Sequence, residues 1–157
     1  MVYVSRRIRD NIFFHGSRIK SVWPMKQAAK ILIIESESGL LSILSEEMEQ
    51  EGYAVDLSAT GGEALRKLEN KPDLIILDGL LSDIDGLVLL AKIKADKNVR
   101  EIPVVFLLEV GDEARVVSAD ELGVERNIVK THNGLRNIMV AVREILKKTH
   151  DDGRVSA

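Results

Sequence analysis

Short, wholly apolar runs alternate with amphipathic stretches along most of the chain. Ile31-Leu32-Ile33-Ile34, Leu74-Ile75-Ile76-Leu77 and Val104-Val105-Phe106-Leu107-Leu108 contain no polar residue. Such runs predict strands buried on both faces, as in a parallel sheet covered by helices. Two weaker strands are predicted over residues 53–57 and 127–129. Between the strands, Leu40, Leu41, Leu44 and Met48 share one face of a helix that ends near Gly52, a suitable C-cap glycine. Further helices are predicted over 62–70, with Leu65 and Leu68 facing inward, over 87–95, and over 112–122, closed by Gly123. Leu135, Ile138, Met139, Val142, Ile145 and Leu146 repeat at helical spacing and mark the last helix. The tail, residues 150–157, reads as disordered.

Five strands joined through helices by short loops predict an α/β, flavodoxin-like (βα)5 doubly wound parallel sheet. Right-handed crossovers favour the strand order 2-1-3-4-5. In that topology function lies beyond the carboxyl ends of the strands, at the switch point between strands 1 and 3. The residues placed there are Glu35, Ser36, Glu37, Asp78, Leu108, Glu109, Lys130 and Thr131. Asp78 and Lys130 each directly follow an apolar strand, so a carboxylate and an ammonium share one rim and can pair. Taken singly, each has a plainer reading as a turn or solvated residue.

Composition narrows the field. A chain of 157 residues, 45% apolar and 30% charged, fits one soluble globular domain. With no cysteine, disulfides, thiolate metal sites and cysteine nucleophiles are excluded. No apolar run approaches the roughly 18 residues of a membrane-spanning helix. Ile12-Phe13-Phe14, followed by His15, Arg18 and Lys20, is too short for a secretory core. A cytoplasmic protein without a membrane partner is expected. No Gly-rich loop follows the first strand, and Glu35-Ser36-Glu37-Ser38 would repel a phosphate, which argues against a nucleotide- or flavin-binding enzyme.

Charge is uneven. Residues 1–30 hold seven basic residues and one acid, leaving the remainder at −9 within a chain of net charge −3. Such a basic arm can serve nucleic acid or a membrane surface, but it carries no heptad and no DNA-reading motif, so nucleic-acid binding is not expected. Met25-Lys26-Gln27-Ala28-Ala29-Lys30 leads into the first strand as a natural start would. Residues 1–29 are therefore read as a basic N-terminal extension, disordered or, over 1–24, an upstream extension or a misplaced start, the alternative being a short helix that involves Phe13, Phe14 and Trp23, and residues 30–149 as the domain.

From Lys30 to about Lys148, roughly three-quarters of the chain, the sequence resembles the receiver domain of two-component response regulators. Lys30-Ile31-Leu32-Ile33-Ile34-Glu35 is similar to the family's first strand and the start of its acidic pocket. Gly62-Glu63-Ala64-Leu65 resembles the second helix, and Pro72-Asp73-Leu74-Ile75-Ile76-Leu77-Asp78 the phosphoacceptor strand, with Asp85-Gly86 at the family's distance. Ile102-Pro103-Val104-Val105 and Glu121-Leu122-Gly123, then Lys130, complete the series.

The resemblance implies a non-enzymatic signalling domain that takes a phosphoryl group from a histidine kinase onto Asp78. Lys130 would contact the phosphate, and Glu35 with Asp78 would form a weak Mg²⁺ site. It also implies a protein-binding face that includes Arg115, Glu121, Arg126, Asn133, Arg136 and Arg143. The sequence departs from the family at several positions. Ser36 replaces the second pocket acid, with Glu37 as a candidate substitute. Leu108 replaces the switch hydroxyl, Glu109 a small residue, Asn127 the aromatic switch residue, Thr131 the proline after the lysine, and Leu81-Ser82 a Met-Pro pair. The Lys130–Thr131 bond, usually cis before the family's proline, is expected trans, because cis before a non-proline costs about 3–4 kcal/mol. Lys130 should then reach Asp78 by another path or sit further away. The domain is thus expected to be an atypical receiver acting through a downstream protein partner, the alternative being a working phosphoacceptor. Deleting residues 1–24 is expected to shift the melting temperature by a few degrees at most; loss of cooperative unfolding would show the segment to be structural.

Overall fold

The computed structural model describes residues 27–153. The expectations for residues 1–26 and 154–157 lie outside the described residues. Five strands, β1 (Lys30–Ile34), β2 (Ala54–Ser58), β3 (Leu74–Asp78), β4 (Val104–Leu108) and β5 (Arg126–Val129), form one sheet. All pairings are parallel and the order is β2-β1-β3-β4-β5. Five helices alternate with them: α1 (Ser38–Gln50), α2 (Gly61–Lys67), α3 (Gly86–Ala95), α4 (Glu113–Glu121) and α5 (Gly134–Asp151).

The apolar runs are central strands because both of their faces are covered. Ile31, Ile33, Leu74, Ile76, Val105 and Leu107 pack against Leu44 and Met48 of α1 and against α5. Their neighbours Leu32, Ile34, Ile75, Leu77, Phe106 and Leu108 pack on the other face against Ala64 of α2, Leu89, Leu90 and Ile93 of α3, and Ala119 of α4. Each such side chain contributes about 1.5–3 kcal/mol on burial, so the two cores fix both sheet and register. The edge strands β2 and β5 are only partly covered, which is why their sequence signal was weaker.

Three expectations need correction. Leu65 does not face inward; it is 40% exposed, while Ala64 and Leu68 are buried. Gly61, Ala64 and Leu68 follow the i, i+3, i+7 spacing of one helical face and are buried, and Leu65, one residue on from Ala64, lies off that face. Residues 150 and 151, expected in a tail, belong to α5, which continues through Asp151. At the other end, Ala29 packs against the core and its carbonyl accepts from the Ala54 N–H at 2.9 Å, so it belongs to the domain. Gly52 and Gly123 end α1 and α4 with φ of +91° and +84°, conformations that favour glycine.

One glycine sits where a side chain has no room. A Cβ at Gly86 would lie 2.4 Å from the Asp78 carbonyl oxygen and 2.7 Å from the Gly79 Cα. The clashing atoms are backbone of Asp78 and Gly79 and cannot swing aside as a side chain could, so Gly86→Ala is expected to destabilise the domain by about 1–3 kcal/mol in urea unfolding. Gly39, whose added Cβ would meet nothing within 4 Å, provides the contrasting substitution; equal losses at both positions would contradict this account.

Candidate functional site

Parallel pairing brings the strand ends out at one edge. In the ladder Ile34 stands opposite Leu77, Asp78 opposite Leu107, and Leu108 opposite Val129. The next residues continue this register through Gly79 N–H to Leu107 O at 2.8 Å and Lys130 N–H to Leu108 O at 2.7 Å. Glu35, Asp78, Glu109 and Lys130 therefore meet by construction.

Their side chains converge on the lysine. Lys130 Nζ lies 2.9 Å from Asp78 Oδ1, 3.0 Å from Glu109 Oε1 and 3.4 Å from Glu35 Oε2. Asp78 and Glu35 are buried, whereas Glu109 is half exposed. The peptide bonds of the described residues, Lys130–Thr131 included, are trans. Of the two expectations for Lys130, another path or a greater distance, the greater distance is not met: its backbone continues the β4 register and its stem brings Nζ to 2.9 Å from Asp78 Oδ1.

Burial pushes the Glu35 carboxyl up to about 7 from an ordinary 4.5. The Glu37 N–H, donating to Glu35 Oε1 at 2.9 Å, works against this, and the neighbouring Asp78 carboxylate reinforces it. Burial disfavours the Lys130 ammonium, but hydrogen bonds to Asp78 and Glu109 outweigh it and hold the group above the usual lysine range.

The β3–α3 loop is tied to three neighbours. The Ser82 N–H donates to Ser36 Oγ at 3.1 Å, and Ser36 Oγ donates to Ala59 O at 2.9 Å, joining three loops. The position that lacks the second acid thus holds a polar joint. Glu37 contributes its backbone N–H to Glu35. Asp83 accepts from the N–H groups of Gly61 and Gly62 at 2.9 and 3.0 Å. Asp85 caps α3 through Leu87 N–H and also pairs with Arg115 of α4.

Leu108 is buried in the core beneath α4. Asn127 donates to Asp120 Oδ1 at 2.6 Å. Of the residues expected on a binding face, Arg115 is turned inward to the β3–α3 loop, and Arg143 forms a two-pronged pair with Glu51 at 2.7 and 2.9 Å. Arg126 pairs with Glu144 at 3.2 Å. Sequence reasoning missed the inward role of Arg115 and the joint at Ser36. The acidic residues of the 83–85 stretch were the available signal.

The raised Glu35 group carries a sign. Its proton is held by the folded state and lost by the unfolded chain between about pH 4.5 and 7, so its stabilising contribution is complete below that window and falls as pH rises through it. In metal-free buffer the stability difference between Glu35→Gln and the unmodified protein should therefore move in favour of the variant between pH 5 and pH 8. The slope should approach roughly 1.4 kcal/mol per pH unit within the window. A pH-independent difference in denaturant unfolding would refute the raised carboxyl.

Residues 31–143 match the model of the response regulator receiver domain. The transcriptional regulatory protein ResD of Bacillus subtilis (strain 168) is 32% identical over 120 residues, covering 76% of this chain and 48% of ResD. CpxR of Escherichia coli (strain K12) is 32% identical over 121 residues, covering 77% and 50%. The chain thus spans about half the length of these curated relatives. A CheY-like response regulator receiver domain protein from Methanospirillum hungatei JF-1 superposes with a TM-score of 0.72 at 27% identity, covering 80% of this chain and 98% of that one. The receiver domain of a signal transduction histidine kinase from Syntrophus aciditrophicus gives 0.68 at 32% identity, covering 77% and 92%. With the sheet order, the edge residues and the family match in agreement, the chain belongs to the response regulator receiver domain family.

Proposed function

We propose that the domain is an atypical receiver of a two-component phosphorelay, working in the cytoplasm through protein–protein binding, with weak switching by phosphorylation at Asp78. The observation that carries this reading is the state of Lys130. A phosphoryl group on Asp78 would have to compete with Glu109 for the ammonium, and Leu108 offers no donor to draw toward it. A ligand shifts a conformational equilibrium only by its differential affinity for the two states. A hydrogen bond to a charged group is worth about 1.5–3 kcal/mol, so the lost hydroxyl removes a large part of that difference.

The alternative, a working phosphoacceptor, draws support from the 2.9 Å contact between Asp78 and Lys130. In that chemistry an Asp78 oxygen attacks the phosphorus of a kinase phosphohistidine. The new P–O bond forms as the P–N bond breaks, and the imidazole leaves with the electron pair. Lys130 would contact the transferred group. Two buried carboxylates, Glu35 and Asp78, are hard oxygen donors of the kind Mg²⁺ accepts, and one or two such residues suffice for a weak site. The bound ion would neutralise charge on the phosphoryl oxygens.

The signal would leave through the α4–β5–α5 face. Val117, Val129 and Val140 are exposed there, beside a groove of about 450 Å³ between β5 and α5 lined in part by Arg126, Thr131 and Asn137. Among the described residues no helix is long and apolar enough to cross a membrane.

Amide spectra of residues 108–130, recorded before and after saturating Mg²⁺ and beryllofluoride, should change only next to Asp78. Large saturable shifts through α4 and β5 would instead establish the conventional phospho-switch. Ser36→Asp, which restores a second pocket carboxylate, should tighten Mg²⁺ several-fold in a titration, because affinity for hard cations follows ligand charge. Unchanged affinity would show that position 36 does not face the ion.

A further inference from the structure

Arg115 lies in α4, yet it serves the loop that follows Asp78. One of its terminal nitrogens donates to the Gly79 carbonyl at 2.6 Å and to Asp85 Oδ1 at 2.9 Å, and the other donates to Asp85 Oδ2 at 2.9 Å. The same Gly79 carbonyl accepts from the Gly86 N–H at 3.0 Å, and Asp85 also caps α3. A single guanidinium therefore ties together the residue after Asp78, the start of α3 and the first part of α4. Only 21% of the Arg115 side chain is exposed. Paired, partly desolvated forks of this kind are the strong class of ion pair. The far end of α4 is tied as well, because Asp120 accepts from Asn127 of β5.

We infer that Arg115, Asp85 and the Gly79 carbonyl form a latch that holds α4 against the β3–α3 loop. The helix is then fixed by contacts that do not involve the carboxylate of Asp78. This deepens the proposed weak switching and rests on that reading for its consequence: α4 stays docked whatever happens at Asp78. The latch itself is a property of the unligated domain. Without the fork, α4 retains Ala119 and its partly buried apolar neighbours on the core but loses its only charged tie to that loop among the described residues. It should open locally while the rest of the fold remains closed.

Hydrogen exchange of the full chain, without Mg²⁺ or beryllofluoride, tests the latch apart from any switching. Arg115→Met and Asp85→Asn, the latter keeping a capping side chain for α3, should each speed exchange of amides 115–122 by about tenfold or more. The double variant should add little to the larger single effect. Arg115→Lys, which keeps charge without the fork, should behave like Arg115→Met. Arg126→Met, breaking the exposed pair with Glu144, should leave α4 unchanged. Unaltered exchange in α4, or an equal acceleration across α4 and α5, would overturn the latch. The switching reading is judged separately, by the beryllofluoride response of the unmodified protein.

Discussion

Five parallel strands buried on both faces have no freedom in where their polar flanks emerge, and here they emerge as three carboxylates around one ammonium. Coulomb attraction at about 3–4 Å is weak in water and several-fold stronger where water is displaced. Asp78 and Glu35 are almost wholly buried. The ammonium of Lys130 is thus what permits two acids to sit side by side at the end of a hydrophobic sheet. Without it, burial and the neighbouring Asp78 carboxylate would push Glu35 further toward its neutral form. Glu35 already shows that tendency, with its carboxyl raised to about 7 even in the presence of the lysine. Glu109 supplies a third carboxylate from the solvent side, so the lysine is neutralised in excess before any ligand arrives.

The β3–α3 loop converts this edge into a connected structure. Ser36 joins it to the loop after β1, Asp83 to the start of α2, and Asp85 to α4 through Arg115. A glycine at position 86 allows the loop to close on the backbone of Asp78. Each tie is individually modest, yet all act on a segment of a few residues. Together they tie this short segment to three neighbouring elements.

The fold was legible because it rests on short-range patterns. Apolar runs without polar alternation marked β1, β3 and β4, and helical spacing from Leu135 to Leu146 marked α5. Crossover handedness then gave the strand order. Asp78, Lys130 and Glu35 were legible because each sits immediately beyond such a run. Leu65 was misread because the small residues Gly61 and Ala64, not the larger leucine, occupy the inward face of α2 with Leu68. Arg115 was read as a surface charge because its partner lies 30 residues away. No periodicity links positions so far apart, and only the folded loop brings them within hydrogen-bond distance.

The departures from the family pattern make physical sense when they are considered together. Leu108 in place of a hydroxyl adds apolar burial beneath α4. Asn127 in place of an aromatic ring removes a rotor and holds Asp120 instead. Ser36 in place of an acid reduces the negative charge of the pocket and joins three loops. Under the proposed reading these changes remove groups that would contact or report a phosphoryl ligand. Glu109 acts in the same direction, because it gives Lys130 a permanent carboxylate partner. Leu108 is packed and Ser36 is bonded on both sides, whereas Asn127 is satisfied only through its amide nitrogen and keeps a buried oxygen without a partner, so the proposed weak switching draws its support from Leu108, Ser36 and Glu109 rather than from Asn127.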